Sequence, residues 1–309
     1  HAHARVEPEH LVLCAGTSEA YSWLFKLLCD PGDQVLLPAP SYPLLDDLAD
    51  LEDVELVRYP LRYDGAWHAD PDRIERAIGP RTRAVVIVQP NNPTGSCLTH
   101  GELEALGSLC ERRGLALISD EVFLDYPFAS EPLPSALDAA SGLRFVLGGL
   151  SKAAGLPQMK ASWIAVAGPP TQRDEALLRL ETIADTFLSV NTPVQVGLPA
   201  LLAAGRVVRR AILDRVRTNR STILSMRKQA APWDCLAADG GWYAVLRVPR
   251  VHTDEDWCLS LLEQEGVHVH PGYFYDFETD GFLVVSLLPP PDQLREGMTR
   301  IARRLDTSS

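Results

Sequence analysis

Ala84-Val85-Val86-Ile87-Val88-Gln89-Pro90-Asn91-Asn92-Pro93-Thr94-Gly95 is a short apolar run that ends in a turn rich in Asn, Pro and Gly. An apolar run of this length bounded by turn residues reads as a strand of a sheet covered by helices. Outward from it, the first two-thirds of the chain alternates strand-like and helix-like segments. Strand patterns fall at residues 11–15, 34–37, 54–59, 84–89, 115–119, 145–147 and 163–167. Helical patterns fall between them at 18–29, 42–51, 72–78 and 101–113. Asp30-Pro31-Gly32-Asp33 is a turn signal, and Gly114 reads as a helix C-terminal cap. The alternation predicts an α/β fold, a three-layer α/β/α arrangement around a mostly parallel sheet.

Residues 175–187 and 195–228 read as long helices, the second broken near Gly205. They carry the chain into a different pattern. A strand at 242–248, a helix at 254–265, strands near 267–270 and 282–287, and a closing helix at 291–305 describe a smaller α+β unit. The expected division is therefore a large domain over 1–205 and a small C-terminal domain over 206–309. Pro289-Pro290-Pro291 reads as a rigid turn, and neither an internal repeat nor a low-complexity tract interrupts the chain.

The 309 residues are 46% hydrophobic and 23% charged, the balance of an ordinary globular protein. No stretch reaches the roughly 18 uninterrupted apolar residues that cross a membrane. The formal net charge of −12 argues against nucleic acid or an anionic membrane as partner. Cys14, Cys29, Cys97, Cys110, Cys235 and Cys258 are scattered without metal-ligand spacing, which suits a reducing cytosol and no metal. Cys14 and Cys110 lie in apolar runs and read as core. The chain opens His1-Ala2-His3-Ala4, without Met, and reads as if an earlier segment has been lost.

In open α/β sheets, ligands bind beyond the carboxyl ends of the strands. Gly16-Thr17-Ser18 follows the first strand and opens a helix, where N–H groups and two hydroxyls can hold a phosphate or simply cap the helix. Asn92 offers an amide at the end of the opening strand. Asp120 closes the strand before Glu121-Val122-Phe123, and a carboxylate at a buried strand end needs a cation. Pro40-Ser41-Tyr42-Pro43 offers an aromatic face, or else a core tyrosine. Gly148-Gly149-Leu150-Ser151-Lys152-Ala153-Ala154-Gly155-Leu156-Pro157 follows another strand and sets Lys152 among small residues. A lysine buried there loses its proton more readily and becomes a nucleophile, as in a Schiff base with pyridoxal phosphate. Lys160 adds a second cation eight residues later, for a phosphate oxygen or for solvent.

In this order, these residues resemble the fold-type I pyridoxal-phosphate enzymes, specifically the class I/II aminotransferase family. The resemblance spans nearly the whole chain. It includes the turn Asp30-Pro31-Gly32-Asp33-Gln34-Val35 and the stretch from Gly266-Val267 to Pro271-Gly272. By resemblance, Lys152 is the Schiff-base lysine that moves protons at the substrate α-carbon. Asp120 pairs with the pyridinium nitrogen, Asn92 with the ring hydroxyl oxygen, and Tyr42 stacks on the ring. Gly16, Thr17, Ser18, Ser151 and Lys160 are implied phosphate-site residues. The implied enzyme is a cytosolic homodimer passing an amino group from an amino donor to an oxo-acid acceptor.

Four positions depart from the family. Lys160 stands where an arginine is usual, Phe123 where a tyrosine is usual, and Gly149 where a serine is common. Val284 stands where an arginine would grip the substrate α-carboxylate, which a valine cannot do. Arg247 or a cation of a second subunit could replace it, or the substrate is unusual. A C–S β-lyase, a decarboxylase and a non-catalytic cofactor-binding regulatory domain remain alternatives to the aminotransferase.

Overall fold

Seven of the apolar runs and one further short strand form one sheet, in a computed structural model that describes residues 6–139, 141–227 and 231–307. Its strands are β1 (Leu11–Cys14), β2 (Gln34–Ala39), β3 (Glu55–Tyr63), β4 (Trp67–Ala69), β5 (Thr82–Val88), β6 (Ala116–Asp120), β7 (Arg144–Gly149) and β8 (Ser162–Ala167). The spatial order is β1-β8-β7-β6-β5-β2-β3-β4. The pairs β3–β2, β2–β5, β5–β6 and β6–β7 are parallel, while β8 runs antiparallel between β7 and β1. The mostly parallel α/β sheet expected from the sequence is what forms. The short β4, antiparallel to β3, gives no clear apolar run and escapes sequence reading.

Alternation along the central strands explains their unbroken apolar sequence. Ala84, Val86, Ala116 and Ile118 pack on one face with Leu24 and Phe25 of α1 (Thr17–Leu28). Val85, Ile87 and Leu117 pack on the other with residues that include Leu103 and Leu106. Both faces are therefore dry, as in sheets covered on each side by helices. The covering helices include α2 (Leu44–Asp50), α3 (Pro71–Ala77) and α4 (His100–Arg113), the last closed by a full capping box at Thr99 and by left-handed Gly114. A single short turn of helix, α5 (Leu150–Ala153), leaves β7, and α6 (Pro170–Phe187) follows β8.

The chain then runs through one helix of 35 residues, α7 (Thr192–Met226). The expected break at Gly205 does not occur, and the expected division at 205/206 falls inside this helix. A Cβ at Gly205 would lie 2.4 Å from that of Ala154, so the glycine lets α7 press against the end of α5. Here the glycine serves close approach and does not break the helix. Beyond α7, β9 (Asp234–Cys235), β10 (Tyr243–Arg247), β11 (His270–Pro271) and β12 (Phe282–Ser286) form an antiparallel sheet in the order β11-β12-β10-β9. Helices α8 (Asp254–Glu265) and α9 (Pro291–Thr307) complete this unit. Ala244, Leu246, Leu283 and Val285 pack with Trp257, Leu261, Met298 and Ile301 on one face of the small sheet.

No single described helix is long and apolar enough to cross a membrane; α6 and α7 pass that test only together, bent by 120°. His1-Ala2-His3-Ala4 and Lys228 lie outside the described residues.

Candidate active site

The carboxyl ends of β5, β6 and β7 and the start of α1 open onto a cavity of about 270 Å³. Thr17, Ser18, Tyr42, Asn92, Asp120, Ser151 and Lys152 all line it. Seven positions picked from four separate strand ends and a helix start thus share one space. Gly16 and Lys160 do not line it.

Asp120 is the last residue of β6. Its carboxylate accepts hydrogen bonds from the Val122 N–H and the Tyr21 hydroxyl, both at 3.2 Å. Burial nevertheless outweighs these donors and pushes its pKa up from 3.8 to about 6. Among the described residues it has no ion-pair partner at contact distance, so the carboxylate is a negative group waiting for a cation.

Lys152 enters from α5. Its Nζ lies 4.9 Å from the centre of the Trp242 ring and 5.6 Å from that of Phe123. Burial lowers the amine's pKa, an effect that the Asp120 charge partly opposes. An amine shifted in this direction spends more of its time as a free base, the nucleophilic form. The backbone beneath is held firmly: the Tyr126 hydroxyl donates to the Lys152 carbonyl, and Leu150 N–H donates to Ala161 at 2.9 Å.

At the start of α1 the capping position belongs to Gly16, with no side-chain cap. Thr17 and Ser18 stand in the first turn and line the cavity, which overturns the reading of either as the N-cap. With the N–H groups of this 12-residue helix they form a cradle for an anion. Gly16 itself is extended, at φ −171°, and its carbonyl accepts the first helical bond from Ala20 N at 3.0 Å. Lys160 takes a left-handed backbone, φ 50°, as the chain turns into β8, and its side chain is exposed. It brings no charge to the cavity lining.

Tyr42 is 45% exposed, so it lies at the cavity mouth and not in the core. Asn92 is buried, and its Oδ1 has no hydrogen-bond partner. The neighbouring Asn91 does the structural work, its Nδ2 donating to Pro40 O at 3.0 Å and to Thr94 Oγ1 at 2.9 Å. The first bond ties the turn after β5 to the loop that carries Tyr42, and the second closes the turn on itself. Gly95 has a positive φ of 68°, and its carbonyl accepts from Asp239 N at 2.8 Å and Gly240 N at 3.0 Å. This clasp sets Trp242 and Tyr243 against the cavity.

Sequence reading missed Tyr21, Ser162, Trp242 and Tyr243. Tyr21 carried a signal, since it lies four residues after Thr17 and so on the same helical face. Ser162 explains one departure: its Oγ would be 2.2 Å from a Cβ at Gly149, its partner in the β7–β8 register, and Ser162 lines the cavity. A hydroxyl reaches that wall from β8, where a side chain on β7 has no room. Val284 is 3% exposed. Arg247 is exposed and paired with Asp234 at 3.2 Å, so it does not stand in for a missing cation. Among the described residues, no group of three or more His, Cys, Asp or Glu side chains is arranged to hold a metal ion.

Residues 1–301 match the family described as aminotransferase class I and II. The chain is 28% identical over 298 residues to the glutamate-pyruvate aminotransferase AlaA of Haemophilus influenzae, spanning 94% of this chain and 74% of that protein. It is 28% identical over 309 residues to the alanine aminotransferase of Mycobacterium tuberculosis, spanning 97% and 72%. An aminotransferase structure from Escherichia coli superposes with a TM-score of 0.87 at 25% identity, over 97% of this chain and 76% of that one. The alanine aminotransferase structure from Pyrococcus furiosus has the same fold, with a TM-score of 0.89 at 24% identity over 98% and 77%.

Proposed function

This chain belongs to the class I and II aminotransferases, and from that premise we propose that Lys152 is the residue that holds pyridoxal 5′-phosphate in the cavity. The enzyme is a transaminase, and its family implies the cofactor. The observation that carries the residue assignment is the meeting, in one cavity, of Lys152 and an Asp120 carboxylate that has no ion-pair partner among the described residues. Asp120 suits a protonated ring nitrogen, and the unpartnered Oδ1 of Asn92 suits a ring hydroxyl that donates to it. Thr17, Ser18 and Ser151 suit a phosphate, with no cation from Lys160. Bound there, the cofactor would supply an electron sink for bond changes at the substrate α-carbon.

The protein's own part is positioning and proton handling. Lys152, with its lowered pKa, takes a proton from the α-carbon and returns it. Asp120 would hold the positive charge of the cofactor ring. Tyr42 and Phe123 present aromatic faces, and Phe123 has no hydroxyl to offer the cofactor. The substrates are an amino donor and an oxo acid. Loading the protein with pyridoxal phosphate and supplying alanine or glutamate with a set of oxo acids should yield the matching new amino acid. Pyruvate and ammonia from cysteine without any acceptor would instead indicate a lyase, and bound cofactor with no product from any donor would indicate a binding domain.

The enzyme acts as a homodimer on this reading. Supporting it are apolar side chains left open on α6, α7 and the link between them: Leu178 is 66% exposed, Leu188 77%, Val196 78% and Val207 77%. Such a patch on a lone chain suits an interface. Light scattering should give twice the chain mass, and a single-chain mass at micromolar concentration would refute it.

A further inference from the structure

The face of the small sheet that turns away from its own core is built from a few residues whose register is known. Leu283 and Val285 of β12 belong to that core, so Val284 between them turns to the opposite face. Val284 stands directly opposite Val245 of β10 and, on its other side, His270 of β11. Residues paired in this way share a face, with Cβ atoms about 4.5–5.5 Å apart. Tyr243, two residues before Val245 on the same face, lines the Lys152 cavity. His270 and the cavity are therefore on one side of the small sheet.

A second path joins them. His270 Nδ1 lies 3.0 Å from the Tyr275 hydroxyl. The Tyr275 carbonyl accepts a bond of 2.8 Å from Ser41 N, next to Tyr42. After burial, the phenols of Tyr243 and Tyr42 are what raise the pKa of Tyr275. The pair His270–Tyr275 thus stands behind the two tyrosines of the cavity wall.

Amino acids and oxo acids both carry a carboxylate beside the reacting carbon, and a desolvated carboxylate needs strong donors. Among the described residues, Lys152 is the one cationic side chain on the cavity lining, and it is committed to the reacting centre. Asp120 adds negative charge, and Arg247 is bound to Asp234. Building on the aminotransferase reading above, we propose that His270 and Tyr275 together bind the carboxylate of the donor and of the acceptor, beside Val284. The imidazole and the phenol each give one hydrogen bond, where a guanidinium would give a charged fork.

Such a clip is linked to protons. His270 faces His268, whose ring centre is 5.3 Å away, and Tyr275 of the following turn. Across from it, β12 and β10 present only Val284 and Val245, with Tyr243 beyond. Asp254 of α8 is turned into the backbone, accepting from Gly272, Gly281 and Phe282. Burial and His268 hold the His270 pKa below its ordinary 6.5. A bound carboxylate favours the charged imidazole, so binding takes up a proton. KM for donor and acceptor alike should rise with pH, by up to about tenfold per pH unit, between the lowered pKa of the free imidazole and its higher pKa in the complex.

The test uses the cofactor-loaded full chain with alanine and pyruvate as substrates. As a binding probe it uses 2-methylalanine, which has no α-hydrogen and so cannot turn over, followed by the cofactor's absorbance. His270→Phe and Tyr275→Phe should each raise KM for both substrates about 10–100-fold, with kcat changed far less. They should weaken 2-methylalanine equally and flatten the pH dependence of KM. His270→Gln should keep part of the affinity without the pH dependence. Val284→Arg in the His270→Phe protein should restore binding that is insensitive to pH. Unchanged KM in His270→Phe, or a wild-type KM flat from pH 6 to 8, overturns the proposal while leaving the aminotransferase reading intact. So does equal use of a donor without a carboxylate, such as isopropylamine. A wild-type protein that takes up the cofactor and transaminates nothing overturns both.

Discussion

Lys152→Ala should abolish the absorbance of bound cofactor that depends on the lysine amine and lower transamination by at least about a thousandfold. Two losses combine. The group that holds the cofactor covalently is gone, and so is the base that handles the α-proton, a role worth roughly 10²–10⁴ by itself. The fold should survive. The side chain's contacts are the rings of Trp242 and Phe123, worth about 0.5–2 kcal/mol as cation–π interactions. The Tyr126 and Ala161 bonds that fix this turn are made to backbone and remain. An alanine variant with intact circular dichroism that keeps the lysine-dependent absorbance would refute the assignment of Lys152.

Asp120→Asn should act in opposite directions on the empty and the loaded protein. The carboxyl pKa is raised on folding from 3.8 to about 6, so the folded state holds this proton more tightly than the unfolded one. The group therefore costs nothing below about pH 4. Its cost grows through pH 4–6 and is complete above it, at about 1.4 kcal/mol per pH unit, or roughly 3 kcal/mol. The asparagine removes that cost. Without cofactor, the variant should melt a few degrees higher than the parent at pH 8, and the two should converge near pH 4. With cofactor, the variant has lost the charge that pairs with a ring cation. Affinity should fall roughly 10–100-fold and turnover on the order of a hundredfold or more. Calorimetry with and without pyridoxal phosphate reads both halves. A variant equally or less stable at pH 8 without cofactor, or one with undiminished affinity, would refute this account of Asp120.

The sheet was legible because its central strands bury both faces, which leaves runs such as Ala84-Val85-Val86-Ile87-Val88 with nothing polar to mask them. The cavity was legible because strand ends in such sheets converge, so Asn92, Asp120 and Lys152 could be grouped without knowing any distance. Other features depend on packing that sequence does not state. Gly205 looks like a helix breaker until Ala154 is seen pressed against it. Tyr243 and Ser162 carry no local signal, because each reaches the cavity only through pairing with a neighbouring element. The weight of Asp120 is likewise a matter of enclosure, which raises its pKa whatever its neighbours in sequence.

The clasp at Gly95 limits how this enzyme can be rebuilt. A Cβ at residue 95 would lie 2.5 Å from the Gly240 carbonyl oxygen, and one at residue 240 would lie 2.6 Å from the Tyr126 carbonyl oxygen. Three segments, from the turn after β5, from the chain after β6 and from the approach to β10, therefore meet at two glycines where no added side chain has room. The small sheet is not a cassette joined only through α7. A chimera that grafts a relative's small sheet onto this large sheet, to change which amine is accepted, must carry residues 90–96, 121–127 and 237–241 from one parent. A seam in α7 alone would divide that contact between two parents, so the exchanged segment is better started beyond residue 241.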